Sequence, residues 1–158
     1  MHNEVKNKMD VLELIRADHR QVETLFLEIE STDEPRKLYK SFNQLYNALN
    51  VHAEVEEQIF YPAIRHSQDI EALVDTAQKE HEEAKEMLED LASLSPTSAE
   101  FNQKIGQLKQ VIQHHVQQEE NEVFAQVRGF MTSEEREQLG KEFETVKSKL
   151  QTEVSVAS

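Results

Sequence analysis

The sequence contains no cysteine. That absence excludes disulfides, iron–sulfur clusters and thiolate metal sites from this chain. Glycine and proline number three each, and tryptophan is missing. So few helix breakers, in a chain rich in Glu, Lys, Gln and Leu, favour helices joined by few turns. Basic charge is also scarce: 17 Lys and Arg stand against 31 Asp and Glu, a formal net charge of −14, and no stretch gathers Lys and Arg on one face. A nucleic-acid backbone would repel such a surface, so nucleic acid is not an expected partner; the acidity serves solubility and raises the local concentration of cations. No apolar run approaches the length of a membrane span, and the opening MHNEVKNKMD has no apolar h-region. The expectation is a cytoplasmic protein with no membrane partner.

What is present organises into helices. The 158 residues suit one domain, 1–158, with a continuous core. Hydrophobic periodicity marks four long helices and a shorter fifth. The first starts after Asp10, a suitable N-cap, carries Val11, Leu14, Ile15, Val22, Leu25, Phe26 and Ile29 on one stripe, and stops near Ser31-Thr32. Asp33, followed by Pro35, opens the second, whose stripe is Leu38, Phe42, Leu45, Leu49, Ile59 and Ala63; Pro62 should kink its last turns. Asp69 can cap a third, with Ile70, Leu73, Val74, Ala77, Ala84, Leu88 and Leu91 inward. After the break at Ser93–Ser98 comes a fourth, with Phe101, Ile105, Leu108, Ile112 and Val123, ended by Gly129. Thr132 with Glu135 reads as a capping box for a short C-terminal helix, about 133–151, bearing Leu139, Phe143, Val146 and Leu150. Residues from Thr152 onward are small and polar, as in a disordered tail. Short links between long amphipathic helices predict an all-α fold: an antiparallel up-down four-helix bundle over about 10–130, with the fifth helix capping it or packing on a second copy. A monomer or a homodimer fits.

Each of the four long stripes is interrupted by a histidine. His19 falls in the series Val11, Ile15, Val22, Phe26, and His81 in the series Leu73, Ala77, Ala84, Leu88. The second helix reads Leu45, Leu49, His52, Glu56, Ile59, and the fourth Leu108, Ile112, His115, Glu119, Val123. Side chains four apart lie one turn apart on one face, so each His and its Glu point the same way. His19 to His81 is 62 residues, while His52 to His115 and Glu56 to Glu119 are both 63. A pattern His…His-x-x-x-Glu thus occurs twice at one repeat length, and a two-fold arrangement of helix pairs would bring all six side chains to one level.

An isolated carboxylate in an apolar core would take up a proton rather than stay charged. Two of them beside four imidazoles need a shared partner, and cations satisfy all six. Imidazole with carboxylate suits Fe, Zn, Mn or Cu, and the absence of thiolate removes the strongest pointer to structural zinc. Two roughly octahedral ions need about twelve ligand positions, of which these residues supply about eight. A water-derived bridge and open positions for a small exogenous ligand would complete the count. Glu54, Glu57, Glu120 and Glu122 lie off the stripes and read as a solvated face. His114 is the alternative to His115 but also lies off the stripe; His2 and His66 read as surface residues; Glu80 reads as surface, or as lining an access path.

With those residues in place, the chain resembles the hemerythrin-like HHE cation-binding family over residues 10–130. The resemblance is carried by Ala17-Asp18-His19, by His52-Ala53-Glu54-Val55-Glu56-Glu57 running to Phe60-Tyr61-Pro62, by Lys79-Glu80-His81-Glu82, and by His115-Val116-Gln117-Gln118-Glu119-Glu120 running to Val123-Phe124. It implies a left-handed four-helix bundle holding two iron ions as an oxo- or hydroxo-bridged non-haem centre, with zinc or manganese less favoured. His19, His52, His81 and His115 would be terminal ligands, and Glu56 and Glu119 bridging carboxylates. Oxygen-carrying members have a further His one turn after the third-helix ligand, where this chain has Lys85, and a His-x4-Asp ending in place of His115-x3-Glu119. The four-His, two-Glu set is closer to bacterial iron-centre repair proteins and the iron-sensing F-box hemerythrin domain. The implied function is binding or reduction of a small oxidant, dioxygen, peroxide or nitric oxide, which would make the chain a di-iron oxidoreductase. The alternatives are an iron- or oxygen-sensing or storage module without turnover, or a reversible oxygen carrier.

Overall fold

The computed structural model describes residues 9–66 and 68–157, with side chains to 154. Helix α1 spans Val11–Glu30. The second rod is α2, Pro35–Val55, a π-helical turn over Glu56–Phe60, and the short α3, Tyr61–Ile64. Helix α4 spans Gln68–Ala92. The fourth rod is α5, Ala99–Gln118, a second π-helical turn over Glu119–Val123, and α6, Phe124–Phe130. Helix α7 runs Ser133–Ala157. The fold is all-α, four antiparallel rods with an extra C-terminal helix, and no described helix is long and apolar enough to cross a membrane.

Local signals explain most boundaries. Asp10 forms a reciprocal capping box with Glu13: Glu13 N–H donates to Asp10 Oδ1 at 2.9 Å and Asp10 N–H to Glu13 Oε1 at 3.0 Å. Thr132 and Glu135 do the same for α7, at 3.1 and 2.8 Å. Ser98 caps α5 by accepting from Phe101 N–H. Three expected boundaries differ. The residue capping α2 is Glu34, without a side-chain bond, rather than Asp33, because Pro35 takes the first helical position. Asp69 lies inside the first turn of α4, where its charge meets the helix dipole favourably. Gly129 stays helical, and the chain turns extended only at Met131; among the described residues no glycine has positive φ.

The two π-turns were not legible in the hydrophobic pattern. Each starts at a glutamate of the repeated motif, and each closes with an i→i−5 bond, from Tyr61 N–H to Glu56 O and from Phe124 N–H to Glu119 O. One residue is thereby inserted into the helical register. The inward stripe shifts accordingly: Phe60, Tyr61 and Ile64 are fully buried, while the expected Ile59 and Ala63 are only partly so. Pro62 does not cause the irregularity, because the second π-turn forms with Ala125 in the matching place.

Apolar side chains form two clusters with a polar layer between them. One gathers Val11, Ile15, Val55, Phe60, Ile70 and Phe124. The other gathers Phe26, Phe42, Leu45, Leu88, Phe101 and Leu108. Helix α7 packs on the bundle's own α1 and α2 through Leu139 and the fully buried Phe143. It is longer than expected, and the segment from Thr152 to Ala157 is helical rather than a disordered tail. Val154 explains why: with Val146 and Leu150 it continues the α7 stripe against the first cluster. Arg136 Nε donates to Asp10 Oδ2 at 3.1 Å, fastening the starts of α7 and α1.

The tightest approach is at Gly140, where an added Cβ would lie 2.7 Å from Met9 O and 3.1 Å from Val11 N. Those neighbours are backbone and cannot rotate away. Gly140→Ala should therefore force α7 off the start of α1 and cost about 1–3 kcal/mol in denaturant melts, despite alanine's better helix propensity. Unchanged or raised stability would show that this contact is not made.

Candidate metal centre

The four rods bring all six residues of the repeated pattern into the polar layer. His19, His52, Glu56, His115 and Glu119 are buried, and His81 nearly so. His19 Nε2 lies 3.1 Å from Glu119 Oε1, and His52 Nε2 and His81 Nε2 each lie 3.2 Å from Glu56 Oε1. His115 Nε2 is 3.7 Å from Glu119 Oε2 and 4.0 Å from Glu56 Oε1. Histidine rings pair at centroid distances of 5.1 Å for His19 with His52 and 4.8 Å for His81 with His115.

Two donor sets result, sharing Glu56: His19, His52, Glu56 and Glu119, and Glu56, His81 and His115; within each, one donor atom per residue lies within 4.8 Å of the others. This is a potential two-metal site built of imidazole nitrogen and carboxylate oxygen. Five of its buried polar atoms have no hydrogen-bond partner: Nε2 of His19, His52 and His115, Glu56 Oε2 and Glu119 Oε1. Buried polar atoms that face one another at ion-pair distance without a formed hydrogen bond are costly, and five in one layer fit a site that takes cations between them.

Every imidazole is held from behind. Asp18 Oδ2 meets His52 Nδ1 at 2.8 Å, Glu120 Oε2 meets His19 Nδ1 at 2.6 Å, Glu57 Oε2 meets His81 Nδ1 at 2.8 Å, and Glu80 Oε1 meets His115 Nδ1 at 2.9 Å. A carboxylate on Nδ1–H leaves the Nε2 lone pair facing inward, fixes the ring plane and raises its donor strength. The wiring obeys the sequence repeat. Asp18 and Glu80, each just before a histidine, reach across to the histidine of the following rod, while Glu57 and Glu120, each just after a glutamate, return to α4 and α1. The expectation that Glu57 and Glu120 belong to a solvated face is thus corrected, since each has an oxygen on a ring, and Glu80, expected at the surface or along an access path, has its two oxygens on His115 and His114. Adjacency to the motif residues, at i−1 of His and i+1 of Glu, was the available signal.

Tyr61, which the spacing of the stripe places outside the layer, enters it. Its hydroxyl lies 2.8 Å from Glu119 Oε2, 3.1 Å from Glu56 Oε1 and 3.4 Å from His81 Nε2. The first π-turn puts it there, and the matching residue in the other half is Phe124, so the hydroxyl breaks the two-fold symmetry. A second asymmetry is Lys147 of α7, which forms an ion pair with Asp18. His114 is exposed and contacts Glu80 Oε2 at 3.1 Å, and His66 is exposed against Phe130. His2 lies outside the described residues.

The electrostatics follow from the contacts. Burial opposes a charged His52, but Glu56 and Asp18 outweigh it and hold its pKa well above the ordinary histidine range. Burial likewise opposes a charged His19, which Glu119 and Glu120 raise, and His81, which Glu56 and Glu57 lift to about 9. Burial opposes the Glu56 carboxylate, yet His52 and His81 draw its pKa well below normal. Burial beside two carboxylates pushes the Tyr61 hydroxyl well above its usual value. Without cations, therefore, protons on His19, His52 and His81 offset the buried carboxylate charge.

A histidine whose pKa rises on folding stabilises the fold fully below its unfolded pKa of about 6.5 and loses that contribution as pH climbs through the folded value. For His81 the window runs from about 6.5 to about 9 and corresponds to about 3 kcal/mol. Metal-free protein should lose stability across that range in urea melts, whereas protein loaded with divalent metal should not, because cations replace the protons. A metal-free stability that stays flat or rises would contradict the assignment.

Comparison with known proteins gives one consistent picture. The profile of the hemerythrin HHE cation binding domain matches residues 10–127. A DNA nickase from Nostoc sp. (strain PCC 7120 / SAG 25.82 / UTEX 2576) is 38% identical over 149 residues, covering 92% of this chain and 41% of the relative. The chain thus spans about two fifths of that relative's length. A solved hemerythrin HHE cation binding domain-containing protein from Mycobacterium kansasii is similar with a TM-score of 0.81 at 20% identity, covering 92% of this chain and 89% of the other. At that identity the likeness speaks to the fold alone.

Proposed function

The chain belongs to the hemerythrin HHE cation-binding family, and from that premise we propose that it is a non-haem di-iron protein that binds or reduces a small oxidant: dioxygen, peroxide or nitric oxide. The observation that supports this most directly is the set of five unpaired donor atoms in a buried layer whose imidazoles are all anchored from behind. In this reading His19 and His52 would hold one iron and His81 and His115 the other, with the Glu56 and Glu119 carboxylates beside them supplying oxygen donors. The irons, when bound, supply electron exchange between ferrous and ferric states at two neighbouring centres.

The protein's own part is positioning, exclusion and proton control. Asp18, Glu57, Glu80 and Glu120 keep Nδ1 protonated and Nε2 free, which sets ligand geometry before metal arrives. The apolar clusters on either side restrict water at the layer. Tyr61, whose pKa is pushed up, retains its proton and keeps one hydroxyl donor beside Glu56 and Glu119. These six residues would fill about eight of the roughly twelve positions on two octahedral ions, which favours a site that takes an exogenous ligand.

A second reading, a module that senses iron or oxygen for an attached partner, is favoured by one fact: the Nostoc relative is more than twice as long as the stretch it shares with this chain. Direct contact with DNA is not part of either reading, given a formal net charge of −14.

Aerobically purified protein should carry about two irons per chain, with near-ultraviolet charge-transfer bands that azide perturbs, as open positions on octahedral ions require. It should consume hydrogen peroxide, and His115→Ala should lower both iron content and peroxide consumption by about tenfold or more. Colourless protein with stoichiometric zinc would overturn the iron assignment. Full iron loading without any oxidant consumption would move the balance to the sensing module.

A further inference from the structure

A cavity of about 220 Å³ adjoins the polar layer. All four histidines of the site line it, whereas Glu56 and Glu119 do not, so it lies on the imidazole side of the donor cluster. Its walls are apolar: Val22, Leu49, Ala84, Leu88, Ile112 and Val116. It opens between α2 and α4, where Glu54, Glu57, Glu82 and Lys85 stand at its edge.

Size, polarity and charge narrow what such a chamber takes. A molecule the size of water claims about 30 Å³, and a dry cavity of about 150 Å³ accommodates a benzene ring. A diatomic gas or hydrogen peroxide would leave most of the space empty. The apolar walls favour a guest with a hydrocarbon body, since each buried CH₂ contributes about 0.8 kcal/mol. Three carboxylates against one ammonium at the mouth disfavour anions, and the apolar walls oppose burial of a charged body of either sign, which leaves neutral molecules. At the inner end the imidazoles and the cations they would hold match one polar terminus on the guest, and Asn50 is the one uncharged amide in the lining.

We propose that this chamber binds a small neutral alkyl hydroperoxide, its hydrocarbon body against the Ala84 and Ile112 walls and its hydroperoxide end toward the four histidines. The inference deepens the proposed function, on which it rests for any chemistry; the binding itself depends only on the cavity. Lys85 and the acidic rim then set entry, and Ala84, the small residue in the wall, sets the length of body admitted.

The test uses full-length protein loaded with zinc, which has no redox chemistry, alongside metal-free protein. Saturation transfer to the methyl protons of tert-butyl hydroperoxide should be seen in at least the zinc form, and benzene should displace it. Ala84→Phe, which fills the chamber, should weaken binding by about tenfold or more at equal zinc content and helicity. If that variant fails to load zinc, Ile112→Phe, on the neighbouring helix and also in the lining, replaces it, and benzene displacement on the unaltered protein decides on its own. No saturation transfer, no displacement by benzene, or equal binding in a folded, loaded, filled variant would overturn the proposal. The two readings fail separately. Loss of guest binding with iron loading and hydrogen peroxide consumption intact removes only the chamber, whereas guest binding in a protein that takes no iron removes only the di-iron function.

Discussion

Within the middle of this bundle, carboxylates and imidazoles sit closer together than water would ever leave them uncompensated. Glu56 and Glu119 are buried at 0% and 1% exposure, with apolar clusters on both sides. Either carboxylate alone would be expelled or protonated. The layer is tolerable only while positive charge occupies it, whether as protons on Nε2 or as cations in their place. That one requirement accounts for the anchored histidines, for the π-turn that follows Glu56 and carries Tyr61 inward, and for the coupling of stability to pH and to metal.

The arrangement is a doubled unit. An acidic residue and a histidine on one helix, followed by His-x-x-x-Glu-Glu on the next, occurs at 18–57 and again at 80–120. Each unit supports one of its own rings and leaves one to the other unit: Asp18 holds His52 and Glu80 holds His115, while Glu57 holds His81 and Glu120 holds His19. The carboxylates that hold the rings belong to both halves, so neither hairpin is a finished site by itself. What departs from the repeat is informative too. Tyr61 in place of a phenylalanine, and Lys147 on Asp18, give the two donor sets different surroundings and provide a physical basis for two ions of unequal behaviour.

Much of this was legible from residue order. The stripes, the Asp10 and Thr132 caps and the six residues at spacings of 62 and 63 can be read without coordinates, because α-helical periodicity converts spacing directly into facing. The π-turns could not be read in that way. A single inserted residue leaves composition untouched and moves the inward stripe by one position, which is why Ile59 was expected inside and Tyr61 was overlooked. Glu57, Glu80 and Glu120 were misplaced for a related reason: a residue beside the stripe points sideways, and only the neighbouring helix decides whether it meets water or a ring. The tail was misjudged on polarity, when Val154 alone continues the α7 stripe far enough to keep the helix going.

The central claim is that two cations neutralise this layer between paired histidines. Anomalous diffraction at the iron edge, from crystals grown without chelators, addresses it most directly. The account predicts two peaks, one bounded by His19 and His52 and the other by His81 and His115, with Glu56 and Glu119 reaching both. A single peak, a peak outside the four rings, or a layer with no anomalous scatterer in iron-replete protein would contradict it.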